Sequence, residues 1–218
     1  MEILGSEILS SFLHAISQSL LIPVIVILLI FLLFTLISFG GLISEYTSRK
    51  KLKLSTIESL IKSLNKSEDY NTIRSIIEES EIDEKYKVAI IKIIDNHALG
   101  RETKKAFANK ILEEEELKME KTIEKTDTIV RLGPTVGLMG TLIPMGPGLA
   151  ALGAGNIEML AQAIIIAFDT TVTGLTAASI AYVISKLRRR WYEEDLSNFE
   201  VFINSILETL EKTRWYTI

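Results

Sequence analysis

Asp169 is the residue whose setting most invites chemistry, because it is the lone charge in the apolar stretch 159–185. A carboxylate in the hydrocarbon of a bilayer costs on the order of 2.5–3.5 kcal/mol on insertion scales, so it marks a place where ions, protons or partner groups meet the helix. At a helical turn of about 100° per residue, Gln162, Asp169, Thr173 and Thr176 share one face, with Thr170 and Thr171 at its flanks. Such a polar stripe reads as a pathway for a cation or a proton. The competing reading is one acid capped by threonine hydroxyls inside a bundle.

Other chemistry finds little support. The chain has no cysteine, which removes disulfides, thiolate metal sites and a cysteine nucleophile. It shows no Gly-rich phosphate loop, no His/Asp/Glu metal spacing and no nucleophile elbow. His14 and His97 read as ordinary surface residues, Glu113–Glu116 as a solvated helix face and Arg188–Arg190 as a membrane-surface anchor. No enzyme, cofactor or metal is expected. The net charge of −4, from 24 basic and 28 acidic residues, does not suggest nucleic-acid binding.

Charge is sorted rather than mixed. The stretches 8–44, 132–157 and 159–185 together hold Asp169 and no other Asp, Glu, Lys or Arg. About 20 apolar residues cross a ~30 Å hydrocarbon layer as a helix. Leu20 to Ile43 exceeds that, and no Lys or Arg precedes it as in a cleavable signal peptide. The second stretch contains Gly133, Gly137, Gly140, Gly146, Gly148, Gly153 and Gly155, with Pro134, Pro144 and Pro147. In lipid, Gly and Pro are tolerated where neighbouring helices cover the backbone. Gly133, Gly137 and Thr141 give a small-xxx-small face for close approach. Pro144 and Pro147 should kink this span or end it early. The short connection at 154–158 makes the second and third spans an antiparallel hairpin.

Lys and Arg cluster after the first span (Arg49–Lys53), before the second (Lys125, Arg131) and after the third (Lys186–Arg190), and are absent from the N-terminus and hairpin. The positive-inside rule then puts the N-terminus outside. The expected organisation is an extracytoplasmic N-terminus (1–19), spans at 20–44, 132–153 and 159–185, an outer hairpin (154–158), a cytoplasmic helical domain (45–131) and a cytoplasmic C-terminal helix (186–218). The class is all-α, integral to the bilayer and multi-pass, with long helices extending into the cytoplasmic domain.

In 45–131, apolar residues recur at helical spacing around Ile57–Leu64, Ile73–Ile77, Ile90–Ile94 and Phe107–Leu112, with breaks near Asn65–Asn71 and Asn96–Thr103. Ion pairs are available at Glu58–Lys62, Glu81–Lys85, Asp83–Lys87 and Glu114–Lys118. The last of these helices should continue into span two. Leu196, Phe199, Ile203, Ile206 and Leu210 form an a/d seam, so span three should run on and pack against another helix, of this chain or another.

Two strings resemble the MotA/TolQ/ExbB proton-channel family: Gly133-Pro134-Thr135-Val136-Gly137-Leu138-Met139-Gly140-Thr141 and Ala167-Phe168-Asp169-Thr170-Thr171-Val172-Thr173-Gly174-Leu175. Their order and the three-span scheme resemble the ExbB/TolQ branch. The resemblance implies a homo-pentamer in the cytoplasmic membrane around the single spans of a partner like ExbD, TolR or MotB. It implies Thr141 and Thr171 as pore-facing threonines, and Pro134, Gly137, Gly140 and Gly174 as helix-packing residues. The glutamate typical of the third span falls on Ile166, so Asp169, one turn later, is the candidate substitute. Asp169 and Thr171 lie about 200° apart on the helix, so both cannot point straight into one lumen. With Thr173 and Thr176, these residues make the expected ion pathway. The expected function is an ion channel subunit, for protons by resemblance, that couples proton motive force to work on a partner. The alternative is a non-conducting membrane scaffold or secretion-machine component.

Overall fold

The computed structural model describes residues 4–49, 54–64, 70–80, 82–96 and 99–216. These contain seven α-helices and no strand: α1 (Leu4–Ser19), α2 (Leu21–Ser48), α3 (Leu54–Leu64), α4 (Tyr70–Glu79), α5 (Glu84–Asp95), α6 (Arg101–Gly153) and α7 (Ile157–Tyr216). Three helical stretches, Leu9–Ser48, Arg101–Gly153 and Ile157–Glu211, are long and apolar enough to cross a membrane. The chain divides into two compact units, one of Met1–Glu45 with Ile123–Leu187 and one of Tyr46–Thr122 with Arg188–Ile218.

The first unit holds α1, most of α2 and the apolar lengths of α6 and α7. Val24, Leu28, Thr35 and Leu42 are buried along α2 at steps of four and seven, which makes a single narrow stripe. The other faces expose Ile22, Leu29, Leu33, Leu36 and Ile37. A helix that is apolar all round and buried on one side only is suited to a lipid surround. Thr35 meets the cost of its buried hydroxyl by donating to the Phe31 and Leu32 carbonyls, at 2.9 and 2.8 Å.

The N-terminal segment, to which sequence assigned no element, is helical. Leu9, Phe12, Leu13 and Ile16 recur at helical spacing, and this apolar stripe is exposed. A turn at Leu20 separates α1 from α2. Pro23 follows closely, and its missing N–H leaves the Ser19 carbonyl without its helical donor.

Of the two outcomes expected of Pro144 and Pro147, a kink or an early end, the early end does not occur, since α6 carries Pro134, Pro144 and Pro147 inside a helix that runs to Gly153. The connection is tighter than the five residues expected, a turn at 154–156 in which Gly155 adopts φ 77°, the left-handed region that glycine enters without strain. Asn156 caps the start of α7 by accepting from the Met159 N–H at 3.0 Å.

The second unit is built on Ile57 and Leu64 of α3, Ile73 and Ile77 of α4, Tyr86, Ile90 and Ile93 of α5, Ala108 of α6 and Phe199, Phe202, Ile203, Ile206 and Leu210 of α7, each no more than 1% exposed. The a/d seam therefore packs within the same chain. Arg74 of α4 pairs with Glu78 and with Asp95 of α5, both at 2.9 Å. Of the four ion pairs expected, Glu58–Lys62 forms at 2.6 Å. Asp83 instead caps α5 through the Lys85 N–H, while Lys87 donates to the Glu78 carbonyl. Lys118 pairs with Glu115 rather than Glu114. Glu115 is buried, so the acidic run is not solvated throughout. Glu81 and His97 lie outside the described residues.

Just beyond α2, the half-buried Arg49 packs against α7. Its guanidinium approaches Asp195 Oδ2 at 2.7 Å, donates to the Trp191 carbonyl at 2.8 Å and lies 5.2 Å from the Trp191 ring centroid. Tyr46 packs on the same ring at 6.0 Å. Nearby, the Tyr86 hydroxyl is buried with no hydrogen-bond partner. Burial raises its pKa far above the ordinary tyrosine value, and Asp195, Asp83 and Glu115 add to the effect while Arg49 opposes it. The unfolded chain ionises near pH 10 and the folded one does not, so this contribution to stability is intact below about pH 10 and is lost as pH rises beyond it. Tyr86→Phe should therefore leave neutral-pH stability unchanged or raise it by up to about 1 kcal/mol. Thermal melts of the two proteins from pH 7 to 11 test this, with the alkaline fall shallower in the variant.

Candidate ion pathway in the helical hairpin

The hairpin seam is made of residues without bulk. Ala163, Ala167, Thr170, Gly174, Ala177 and Ala181 are buried along α7, and Gly133, Gly137, Gly140 and Gly148 along α6. A Cβ on Gly174 would fall 2.6 Å from the Gly133 carbonyl oxygen and 3.1 Å from Gly137 Cα. One on Gly140 would fall 2.5 Å from Thr170 Cβ, and one on Gly148 would fall 2.8 Å from Ala163 Cβ. The backbones touch, as small residues permit in a membrane helix pair. Thr170 satisfies its buried hydroxyl by donating to the Ile166 and Ala167 carbonyls, at 2.9 and 3.0 Å.

The pair Gly140–Thr170 fixes the register of the seam, and from it the candidate residues take their places. In an antiparallel pair, the residue after a contact point turns to the same side on both helices. Thr141 and Thr171, each next after that contact, therefore lie on one flank at nearly one depth, both half-buried. Asp169, one residue before Thr170, turns to the opposite flank and is exposed on the single chain. That flank is the one α2 approaches, since Val136 and Ile143 of α6 pack with Val24 and Leu28. Thr173 is half-buried and Thr176 and Gln162 are exposed.

The geometry thus separates two groups, the pair Thr141/Thr171 and the stripe of Gln162, Asp169, Thr173 and Thr176. Threonine capping of the acid is not what forms: the Thr173 hydroxyl donates to the Asp169 backbone carbonyl at 2.7 Å. The Thr141 hydroxyl likewise donates to the Leu138 carbonyl, at 2.7 Å. Each such hydroxyl still has acceptor capacity to offer a passing cation or proton donor. Gly137, Gly140 and Gly174 sit in the seam. Pro134 turns away from it and is exposed. The third small residue of the α6 stripe is Gly140, not Thr141, because the closest approach follows steps of four and three.

Three polar features escaped the sequence reading. Thr170 faces the seam, which its spacing of four and seven from Gly174 and Ala177 signals. The Ser185 hydroxyl donates to Asp127, tying α7 to α6 at the charged end of the hairpin. Arg49 reaches Asp195 across 146 positions, and no local pattern announces that pairing. Among the described residues, no three His, Asp or Glu side chains cluster as metal ligands would.

Residues 78–201 match the family described as the MotA/TolQ/ExbB proton channel family. A comparison with curated proteins returns no match.

Proposed function

Because the chain belongs to the MotA/TolQ/ExbB proton channel family, whose members are membrane channels rather than enzymes, we propose that it is the channel-forming subunit of a proton-driven membrane motor. In this reading, copies of the chain assemble as a homo-oligomer, pentameric by family resemblance, in the cytoplasmic membrane. They enclose the single spans of an ExbD/TolR/MotB-like partner. One charge crossing 100 mV releases about 2.3 kcal/mol, which the assembly turns into work on that partner.

The observation that supports this best is the shared flank of Thr141 and Thr171. Two threonines from antiparallel helices stand at one depth on the side that α2 leaves uncovered. A ring of such flanks supplies hydroxyls around a central helix. Asp169 belongs to the other side in this arrangement, where the bilayer would not tolerate a charge and a neighbouring copy or a proton must meet it.

The test is proton flux into liposomes containing the chain with its partner. Thr171→Val and Thr141→Val should each lower partner-dependent flux about tenfold, the effect of roughly 1.4 kcal/mol on a barrier. Asp169→Asn should leave assembly intact, and unchanged flux would remove Asp169 from the mechanism. No flux from the parent chain with any single-span partner would favour a non-conducting scaffold.

The orientation can be tested separately, because the chain has no cysteine of its own. With the N-terminus outside, Glu158→Cys should react with an impermeant thiol reagent added to intact cells, and Arg190→Cys should react only after permeabilisation. The reverse pattern would overturn the positive-inside assignment.

A further inference from the structure

Pro147 lies in the interior of α6, four residues beyond Ile143. A helical carbonyl accepts from the N–H four positions on, and proline has none, so the Ile143 carbonyl lacks its helical partner. In a membrane span no water replaces it, and an unsatisfied carbonyl there is costly. The donor comes from elsewhere in the chain: Gln18 Nε2, near the end of α1, donates to the Ile143 oxygen at 3.1 Å, a contact spanning 125 positions. Gln18 is half-buried, and the surrounding contacts of Leu21, Val24 and Leu28 with Ile143 are apolar.

We propose that Gln18 is a positioning residue whose carboxamide stands in for the N–H that Pro147 lacks, and that this bond seats the α1–α2 joint on the proline-bearing turn of α6. Gln18 lies two residues before the turn at Leu20, and α1 carries its exposed stripe of Leu9, Phe12, Leu13 and Ile16 along with it. The neighbouring Ser19 Oγ turns back within its own helix to the Ile16 oxygen, a carbonyl that also accepts from the Leu20 N–H. The Gln18 bond instead joins α1 to α6, as the Ser185–Asp127 bond joins α7 to α6.

The Gln18 bond is needed only while the N–H at position 147 is missing. Pro147→Ala restores the missing N–H and should make Gln18 dispensable, whereas a residue that merely fills space would matter equally with either partner. Spin labels at single cysteines replacing His14 and Leu149, in the full chain in nanodiscs, report the distance between α1 and α6. With Pro147 present, Gln18→Leu should shift the seated-to-unseated ratio of α1 by about tenfold, the size of one buried carbonyl left unsatisfied. In the Pro147→Ala background the same substitution should leave the distance distribution unchanged. A Gln18→Leu distribution equal to that of the parent would overturn the proposal. So would an equal broadening in both backgrounds, because Gln18 would then act by packing alone. Should Gln18→Leu reduce yield, Gln18→Asn, one methylene too short to reach, gives the same comparison. The readout needs no proton flux, so its failure is distinct from failure of the channel reading.

Discussion

Gly174→Ala should unseat the α6–α7 hairpin, although it adds a single methyl group. The new Cβ would stand 2.6 Å from the Gly133 carbonyl oxygen and 3.1 Å from Gly137 Cα. Both obstacles are backbone, so no side chain can swing aside and the helices must separate or shift along each other. Overpacking of this kind costs about 1–3 kcal/mol, and more where relief is blocked. For a chain of this size each kcal/mol lowers Tm by about 2–4 °C. The hairpin flank that carries Thr141 and Thr171 would be disturbed with it, so under the proposed channel function partner-dependent flux should fall together with thermal stability. Gly40→Ala is the control. It lies inside α2 with nothing within 4 Å of its added Cβ, and should be neutral or slightly stabilising through better helix propensity. Melting curves of the two variants in one detergent decide the matter. Equal Tm values would show that the seam tolerates bulk.

The second large effect concerns Arg49 and Asp195, whose side chains are only 9% and 7% exposed. Asp195→Ala would strand a guanidinium in a buried site where Nη1 already has no hydrogen-bond partner. Breaking a buried pair from one side costs about 3–5 kcal/mol, whereas replacing both partners by apolar residues is often neutral. The double variant Arg49→Leu/Asp195→Leu should therefore be more stable than Asp195→Ala alone. A denaturation cycle over these variants measures the coupling. If the single and double variants lost the same stability, the pair would not be acting as a desolvated unit.

The parts of the molecule that follow local rules were readable from the chain. Charge sorting pointed to the three helices that are long and apolar enough to cross a membrane, since a bilayer rejects charge wherever it falls. The 3.6 periodicity of Ile73, Ile77, Ile90 and Ile94 located the small helices, and the resemblance carried by the strings around Gly137 and Gly174 agrees with the family match. What sequence left open depends on register between distant segments. Nothing local shows that Gly140 meets Thr170, and without that contact Thr141 could be read as part of the seam rather than its flank. Pro144 and Pro147 suggested a kink or an early end, because proline is costly in a helix interior. The donor from Gln18 lies 125 positions away. Asp83 and Lys118 chose nearer partners than the i,i+4 rule suggested, because a helix cap and an adjacent buried carboxylate competed for them.

The glycine and alanine seam has a consequence for the order of assembly. Gly and Ala have no side-chain rotamers to freeze when two helices meet, so closing α6 against α7 gives up almost no side-chain entropy. Contacts involving larger side chains, such as those of Phe31 and Phe34 beside Ala177 and Ala181, must immobilise two torsions each. The hairpin can therefore close early, as a pair with few alternatives, and serve as the template on which α2 settles.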